Sequence, residues 1–289
     1  MSEDPALLRF GFCISGSQKS GTSSLSALLD AHPNVQRAPR KEMHFFDDES
    51  RDWATEDFTE YAVPQRGRRR VVVGDATPLY LWWPQAMERI HRYDPRMRHV
   101  VVFRDPIERL FSQWLMVVNR WPSHAPTWDG FLTRFAPAGL EDEIPRGVHV
   151  GAYRMHSGVV RGYYGAQLER GHALFGRDRF HPVEFRALLR DHESALDAIT
   201  DFLDLPRFTR HPDLPHSMAG KPAEADTWPV AADIEALVER YLDDFALFKR
   251  LSGLDVAHWP LQRLVDGDLA PGDLAAQLAA KVVTPQRVG

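Results

Sequence analysis

Three short apolar runs restrict the fold more than any other feature of the chain: Phe10-Gly-Phe-Cys-Ile-Ser15, Val71-Val-Val-Gly74 and His99-Val-Val-Val-Phe103. None alternates apolar with polar residues, so each predicts a strand buried on both faces, as in a parallel sheet covered by helices. A fourth candidate strand spans Phe180 to Phe185 and precedes an amphipathic helical pattern over about Glu193 to Leu203. A further helical pattern follows the third run through about Asn119. Strands that alternate with helices predict a three-layer α/β fold with a central, mainly parallel sheet. The Pro-rich stretch from Trp121 to Gly151 reads as an irregular excursion with a short helix near Trp128 to Phe135. Pro206 to Pro229 is again irregular, Ile234 to Leu251 is a helix, and the last 30 residues are a weak amphipathic helix and a polar tail. With no repeat and no linker, one domain is expected over 1–289, its motif-bearing core at about 8–260 and a C-terminal helix and tail at 261–289.

Charge removes one class of partner. Lys and Arg number 35 against 40 Asp and Glu, a net charge of −5, whereas a general nucleic-acid binder presents a net basic face that releases counterions from phosphates. The single cysteine, Cys13, cannot form an intrachain disulfide, and its place in a buried run predicts packing only. The Met1-Ser-Glu-Asp-Pro start lacks the basic and apolar regions of a signal peptide, and no stretch approaches the ~18 apolar residues of a membrane span. The expectation is a cytoplasmic protein with no nucleic-acid or membrane partner; oligomeric state is not legible.

Chemistry concentrates in two segments. Gly16-Ser-Gln-Lys19-Ser20-Gly21-Thr22-Ser23-Ser24 joins the first strand to Leu25, Leu28 and Leu29 at helical spacing. A glycine-rich loop at a helix start exposes backbone N–H groups and makes an anion site. It departs from the nucleotide-triphosphatase loop G-x-x-x-x-G-K-[ST], because Thr22 stands where the lysine belongs and Lys19 lies inside the loop. In the second segment, Arg104-Asp-Pro-Ile-Glu-Arg109-Leu-Phe-Ser112, Arg104 stands at the carboxyl end of a buried strand, where open α/β sheets bind ligands. A salt bridge from Arg109 to Asp105 or Glu108 is the structural alternative there.

Lys19 through Ser24 resembles the 5′-phosphosulfate loop of sulfotransferases that use 3′-phosphoadenosine-5′-phosphosulfate (PAPS), and Arg104 through Ser112 resembles their 3′-phosphate motif. Ala31-His-Pro33 and Lys41-Glu42-Met-His44-Phe-Phe-Asp47 are similar to segments of the heparan sulfate (carbohydrate) sulfotransferase branch. The resemblance is dense over about residues 10 to 120 and thinner to about 260. It implies a P-loop-type sulfotransferase that moves a sulfuryl group from PAPS to a hydroxyl of a small-molecule or glycan acceptor, leaves adenosine 3′,5′-bisphosphate (PAP), and needs no metal.

Roles follow from the resemblance residue by residue. Lys19 would stabilise the leaving group; Ser20, Gly21, Thr22, Ser23 and Ser24 would hold the 5′-phosphate; Arg104 and Ser112 the 3′-phosphate, with Gly220 and Lys221 closing over it. Glu42 would be the base, with His44 competing because its ordinary pKa suits proton transfer. If the segment is extended, Glu42 and His44 share one face. Asp75-Ala76-Thr77-Pro78 departs from the branch, which carries a lysine where Ala76 stands. Either Lys19 suffices or the acceptor is less anionic than a glycosaminoglycan; Asp75 would hydrogen-bond an acceptor hydroxyl or cap the turn before Pro78. His211, Asp213 and His216 match no common zinc spacing. Arg66-Gly-Arg-Arg-Arg70 reads as a solvated run or a lure for an anionic acceptor, and Trp82-Trp83 as packing or cleft lining. The rivals are a P-loop kinase of small molecules, disfavoured by Thr22, and a non-catalytic nucleotide- or carbohydrate-binding module.

Overall fold

A computed structural model describes residues 7–283 apart from 56, 67–69, 135–139, 141–142, 145, 147–148 and 216–221. The chain divides into two compact units, residues 1–103 with 170–218, and 104–169 with 219–289.

The first unit holds the sheet. All three apolar runs form strands: β1 (Leu7–Gly16), β4 (Val72–Asp75) and β5 (Arg98–Phe103), joined by β2 (Val35–Arg37), β3 (Ala62–Pro64) and β6 (Phe180–Glu184). The order is β2-β4-β1-β5-β6 with every pairing on that path parallel, and β3 runs antiparallel to β1. β4 and β5 are therefore β1's neighbours, and all three end at the edge where β1 runs into the glycine loop. Two helices, α1 (Thr22–Asp30) and α2 (Ala86–Tyr93), belong to this unit, as do α7 (Phe185–Arg190) and α8 (His192–Phe202) further on. Phe12, Ile14, Val100, Val102 and Val183 pack with Leu25, Leu28 and Leu29 of α1 and Leu196 and Ile199 of α8 in one core. Cys13 lies within the sheet, fully buried, and burial pushes its thiol up, as packing without chemistry requires. His99 of β5 is also fully buried: its Nδ1 lies 3.2 Å from Ser15 Oγ and its ring stacks on Phe180, and burial lowers it to about 3, so it is neutral.

The second unit is built on helices: α3 (Pro106–Arg120), α4 (Trp128–Thr133), α5 (Val150–His156), α9 (Ala231–Ser252), α10 (Pro260–Val265) and α11 (Pro271–Ala279), with the short parallel pair β7 (Ala223–Glu224) and β8 (Val282–Val283). A helix α6 (Tyr164–Phe175) contributes its first half here. The weak C-terminal helix predicted from sequence is two helices, split by Gly267 in the left-handed region. Two backbone anchors organise the unit. Asp244 of α9 accepts the Gly165 and Ala166 N–H groups at 2.9 and 2.8 Å, and burial, which outweighs those bonds, raises its carboxyl to about 6. Asp105 caps α3 by accepting from the Ile107 and Glu108 N–H groups at 3.0 and 2.9 Å, and its other oxygen accepts from Leu261 N–H at 2.7 Å.

Among the described residues no helix is long and apolar enough to cross a membrane.

Candidate active site

The loop after β1 is fastened from below. Ser17 donates its backbone N–H to Val102 O at 2.7 Å and its hydroxyl to the same oxygen at 3.1 Å, and Ser17 Oγ lies 2.7 Å from Ser20 Oγ. Lys19 and Gly21 adopt left-handed φ of 71° and 86°; glycine does so freely, whereas a lysine is held there at a cost of about 1–2 kcal/mol. α1 then starts with no side-chain cap and no acid in its first turn, which leaves the positive end of the helix to a ligand. Thr22 and Ser24 are buried and Ser23 is exposed.

Glu42 and His44 come together by a route the pleat does not supply. The segment is not extended: both residues take left-handed φ, 59° and 51°, and this turn places His44 Nε2 3.2 Å from Glu42 Oε2. On its other side His44 Nδ1 lies 2.8 Å from Oδ2 of the fully buried Asp47. Glu42, His44 and Asp47 thus form one hydrogen-bonded chain, so the sequence's two competing bases are consecutive members of one device. Lys41 Nζ reaches Glu42 Oε1 at 2.6 Å. Burial acts to raise the Glu42 carboxyl, but the hydrogen bonds and charges of His44 and Lys41 outweigh it and hold the group at about 2.

The turn that carries these residues is packed hard. Phe45 and Phe46 are buried against Tyr61, and Arg89, buried itself, donates to Phe46 O and grips both Glu49 oxygens at 2.8 Å. Asp75, the last residue of β4, is sealed from solvent: Oδ1 accepts from Thr77 Oγ1 at 2.7 Å and Met43 N–H at 3.4 Å, Oδ2 from the Tyr61 and Tyr80 hydroxyls at 2.7 Å each. Burial raises its carboxyl while the Thr77, Tyr61 and Tyr80 hydroxyls and the Met43 amide pull it back. Trp82 and Trp83 are buried, which settles them as packing. His32 is a staple between Pro206 O, at 2.8 Å, and the Asn34 amide.

In the second unit, Arg104 directly follows β5 and its Nε lies 3.3 Å from Glu108 Oε2. Between residues 104 and 118, only Arg104, Glu108, Ser112 and Met116 are not fully buried. That spacing of four is one helix face, so Arg104, two residues before α3, and Ser112 share one open stripe over residues 104–118. Arg109 makes neither of the salt bridges that formed the structural alternative. It is buried and donates to Gln113 Oε1 at 2.8 Å and to Gly158 O, because Asp105 is committed to the helix cap and Glu108 to Arg104. Gly220, Lys221, His216 and the middle of the Arg66–Arg70 run lie outside the described residues. His211 is held by Asp197 at 2.8 Å, and among the described residues no group of side chains is arranged to hold a metal.

Asp47 is the residue that sequence reasoning passed over. Its signal was a carboxylate three positions after His44, legible as a partner only if the chain turns at Phe46.

Comparison with known proteins points to one family. Human heparan sulfate glucosamine 3-O-sulfotransferase 3B1 is 28% identical over 197 residues, 67% of this chain and 46% of that protein. The membrane-associated sulfotransferase kil1 of Dictyostelium discoideum is 28% identical over 106 residues, 36% of this chain and 22% of that protein. The chain spans about half the length of the heparan sulfate relatives it matches. In fold it is similar to a sulfotransferase from Alicyclobacillus acidocaldarius, with a TM-score of 0.64 and 24% identity over 87% of this chain and 99% of that one. The profile of the sulfotransferase family matches residues 57–210, which takes in Asp75, Arg104 and Ser112 and begins after the loop and Glu42. With more than half of its length matched by that profile, the chain belongs to the sulfotransferase family.

Proposed function

We propose that the protein transfers a sulfuryl group from PAPS to a hydroxyl of a glycan or small-molecule acceptor, with Glu42 as the base and Lys19 beside the leaving oxygen. The observation that carries this reading is the hydrogen-bonded chain Glu42–His44–Asp47, built in the same unit as an anion-ready helix start. The donor's chemistry fits the residues present: α1 starts with no side-chain cap and no acid in its first turn, and Arg104 and Ser112 offer a cation and a hydroxyl on one open stripe leading into α3. When bound, PAPS supplies an activated sulfuryl group and a 3′-phosphate that tells it apart from ATP.

The chain's own residues do the rest. Within the Ser20 to Ser24 loop the Gly21, Thr22 and Ser23 N–H groups hold the 5′-phosphate, the Ser20 and Ser24 amides being engaged by Ser17 O and Gly21 O at 3.2 and 3.0 Å, and Arg104 with Ser112 holds the 3′-phosphate. Lys19 follows the charge that develops on the leaving oxygen. Glu42, ionised at any physiological pH, accepts the acceptor's proton. Both His44 nitrogens face carboxylate oxygens, so His44, anchored by the buried Asp47, orients Glu42. Asp75, sealed and with both oxygens engaged, supports this arrangement in place of touching the acceptor. Ala76, where the resembling branch has lysine, leaves Lys19 to stabilise the leaving oxygen alone.

The test is Glu42→Gln. General-base loss lowers turnover by about 10²- to 10⁴-fold, with labelled sulfate transfer measured across a panel of hydroxyl acceptors, while PAP binding by calorimetry is retained. Near-normal turnover in the variant removes Glu42 from the mechanism.

A further inference from the structure

Three consecutive backbone amides, those of Met43, His44 and Phe45, end on one cluster. Met43 N–H reaches Asp75 Oδ1 at 3.4 Å, His44 N–H reaches Thr77 Oγ1 at 3.4 Å, and Phe45 N–H reaches the Tyr80 hydroxyl at 3.1 Å. Thr77 and Tyr80 in turn donate their own protons to Asp75. Four donors end on the two Asp75 oxygens, which act as acceptors throughout. The Thr77 and Tyr80 hydroxyls therefore point their protons at Asp75, which turns their lone pairs toward the His44 and Phe45 amides. The polarity of the whole cluster follows from that one acceptor.

We infer that Asp75 is a positioning residue for the sulfuryl-transfer base: through Thr77, Tyr80 and the Met43 amide it holds the left-handed turn that aims Glu42 and His44 at each other. The inference rests on the reading of Glu42 as base. Neither Glu42 nor His44 is a residue that adopts positive φ by default, and such conformations persist only where the surroundings over-determine them. Here the surroundings are three amide contacts and the packing of Phe45 and Phe46 on Tyr61, whose hydroxyl also ends on Asp75. The cluster is tied to the phosphate loop as well. Asp75 pairs in register with Cys13 of β1, three residues before the loop, and Leu81 N–H, in the turn after Pro78, donates to Ser15 O at 2.9 Å. One carboxylate thus references the base to the strand that presents the donor site.

Asparagine at 75 is nearly isosteric but replaces one acceptor oxygen with a donor. If that donor faces Tyr80, the tyrosine hydroxyl becomes the acceptor there and its proton swings toward the Phe45 N–H, so donor meets donor. The experiment follows amide hydrogen exchange by NMR in the full chain for wild type, Asp75→Asn, Tyr80→Phe and Glu42→Gln. Tyr80→Phe keeps the ring packing and removes only the hydroxyl, so it serves even if Asp75→Asn does not fold. In Asp75→Asn and Tyr80→Phe, the Phe45 amide is expected to exchange about tenfold faster, the protection of one hydrogen bond, with α1 and β1 amides unchanged. The ring nitrogen resonances of His44, read at one fixed pH, move in both variants. Where N-sulfated heparan oligosaccharide is turned over, kcat falls roughly 10- to 100-fold with KM and PAP affinity held within about twofold. Wild-type exchange at residues 43–45 together with wild-type His44 ring resonances overturns the inference. In Glu42→Gln the amide protection stays; full turnover in that variant would refute the base itself and leave the exchange result standing, so the two failures are distinguishable.

Discussion

Replacing Arg104 with alanine separates donor recognition from charge balance. The Arg104 guanidinium lies against Glu108, and both side chains are largely enclosed, 19% and 13% exposed. A charge-assisted hydrogen bond to phosphate contributes about 1.5–3 kcal/mol, a factor of roughly 10 to 100 in affinity. The enclosure pushes the loss toward the upper end, because Arg104→Ala also leaves the Glu108 charge, little screened by solvent, beside the incoming 3′-phosphate. Titration calorimetry should therefore show about 100-fold weaker binding of PAP by Arg104→Ala. Adenosine 5′-monophosphate, which lacks the 3′-phosphate, should bind both proteins alike. The double variant Arg104→Ala/Glu108→Gln should recover only the repulsive part, a few-fold. Full recovery would mean that Arg104 serves only to neutralise Glu108, and unchanged PAP affinity in the single variant would refute the assignment outright.

Two further expectations concern stability. Gly165→Ala places a Cβ against the backbone oxygen of Asp244 and within 2.9 Å of Leu247 Cβ and Phe248 N; helix backbone cannot give way cheaply, so a loss of about 2–3 kcal/mol and a Tm lower by roughly 5–10 °C are expected in calorimetry, and an unchanged Tm refutes the close packing of α6 on α9. His99, held neutral by burial at about 3 against an ordinary 6.5, binds its proton more readily unfolded than folded. Its stabilising contribution is complete above pH 6.5 and is lost as pH falls toward 3, by about 1.4 kcal/mol per pH unit in between. Denaturant titrations at pH 7, 6, 5 and 4 should show His99→Gln losing less stability on acidification than the wild type; parallel curves would contradict it.

The sheet was legible because its strands are continuous apolar runs, and a run such as Val100-Val-Val-Phe103 has few alternatives to a doubly covered strand. β2 and β3 escaped notice for the opposite reason: three residues each carry no period to detect. α6 escaped because glycines at 165 and 171 weaken its helical pattern, although each makes room for a neighbour, Asp244 and Phe180 respectively. In the site, the loop and the Arg104–Ser112 spacing could be read because both are short-range patterns. The meeting of Glu42 with His44 could be anticipated, but not its geometry, since positive φ at a glutamate and a histidine is imposed by contacts with residues 75, 77 and 80, more than thirty positions away. Arg109 shows the same limit: its partners, Gln113 and Gly158, are set by packing, and charge alone pointed to Asp105 and Glu108.

The bond from Leu261 N–H to Asp105 bears on the order in which the protein can be completed as it is made. Every residue of the unit that holds the sheet, the glycine loop and Glu42 has been added once position 218 has left the ribosome. Asp105 caps its helix with its own neighbours, but its second oxygen waits for position 261, so the unit that bears Arg104 and Ser112 is completed later in synthesis than the unit that bears the sheet. A nascent chain stalled between those points holds every residue of the sheet unit while Asp105 still lacks its Leu261 contact.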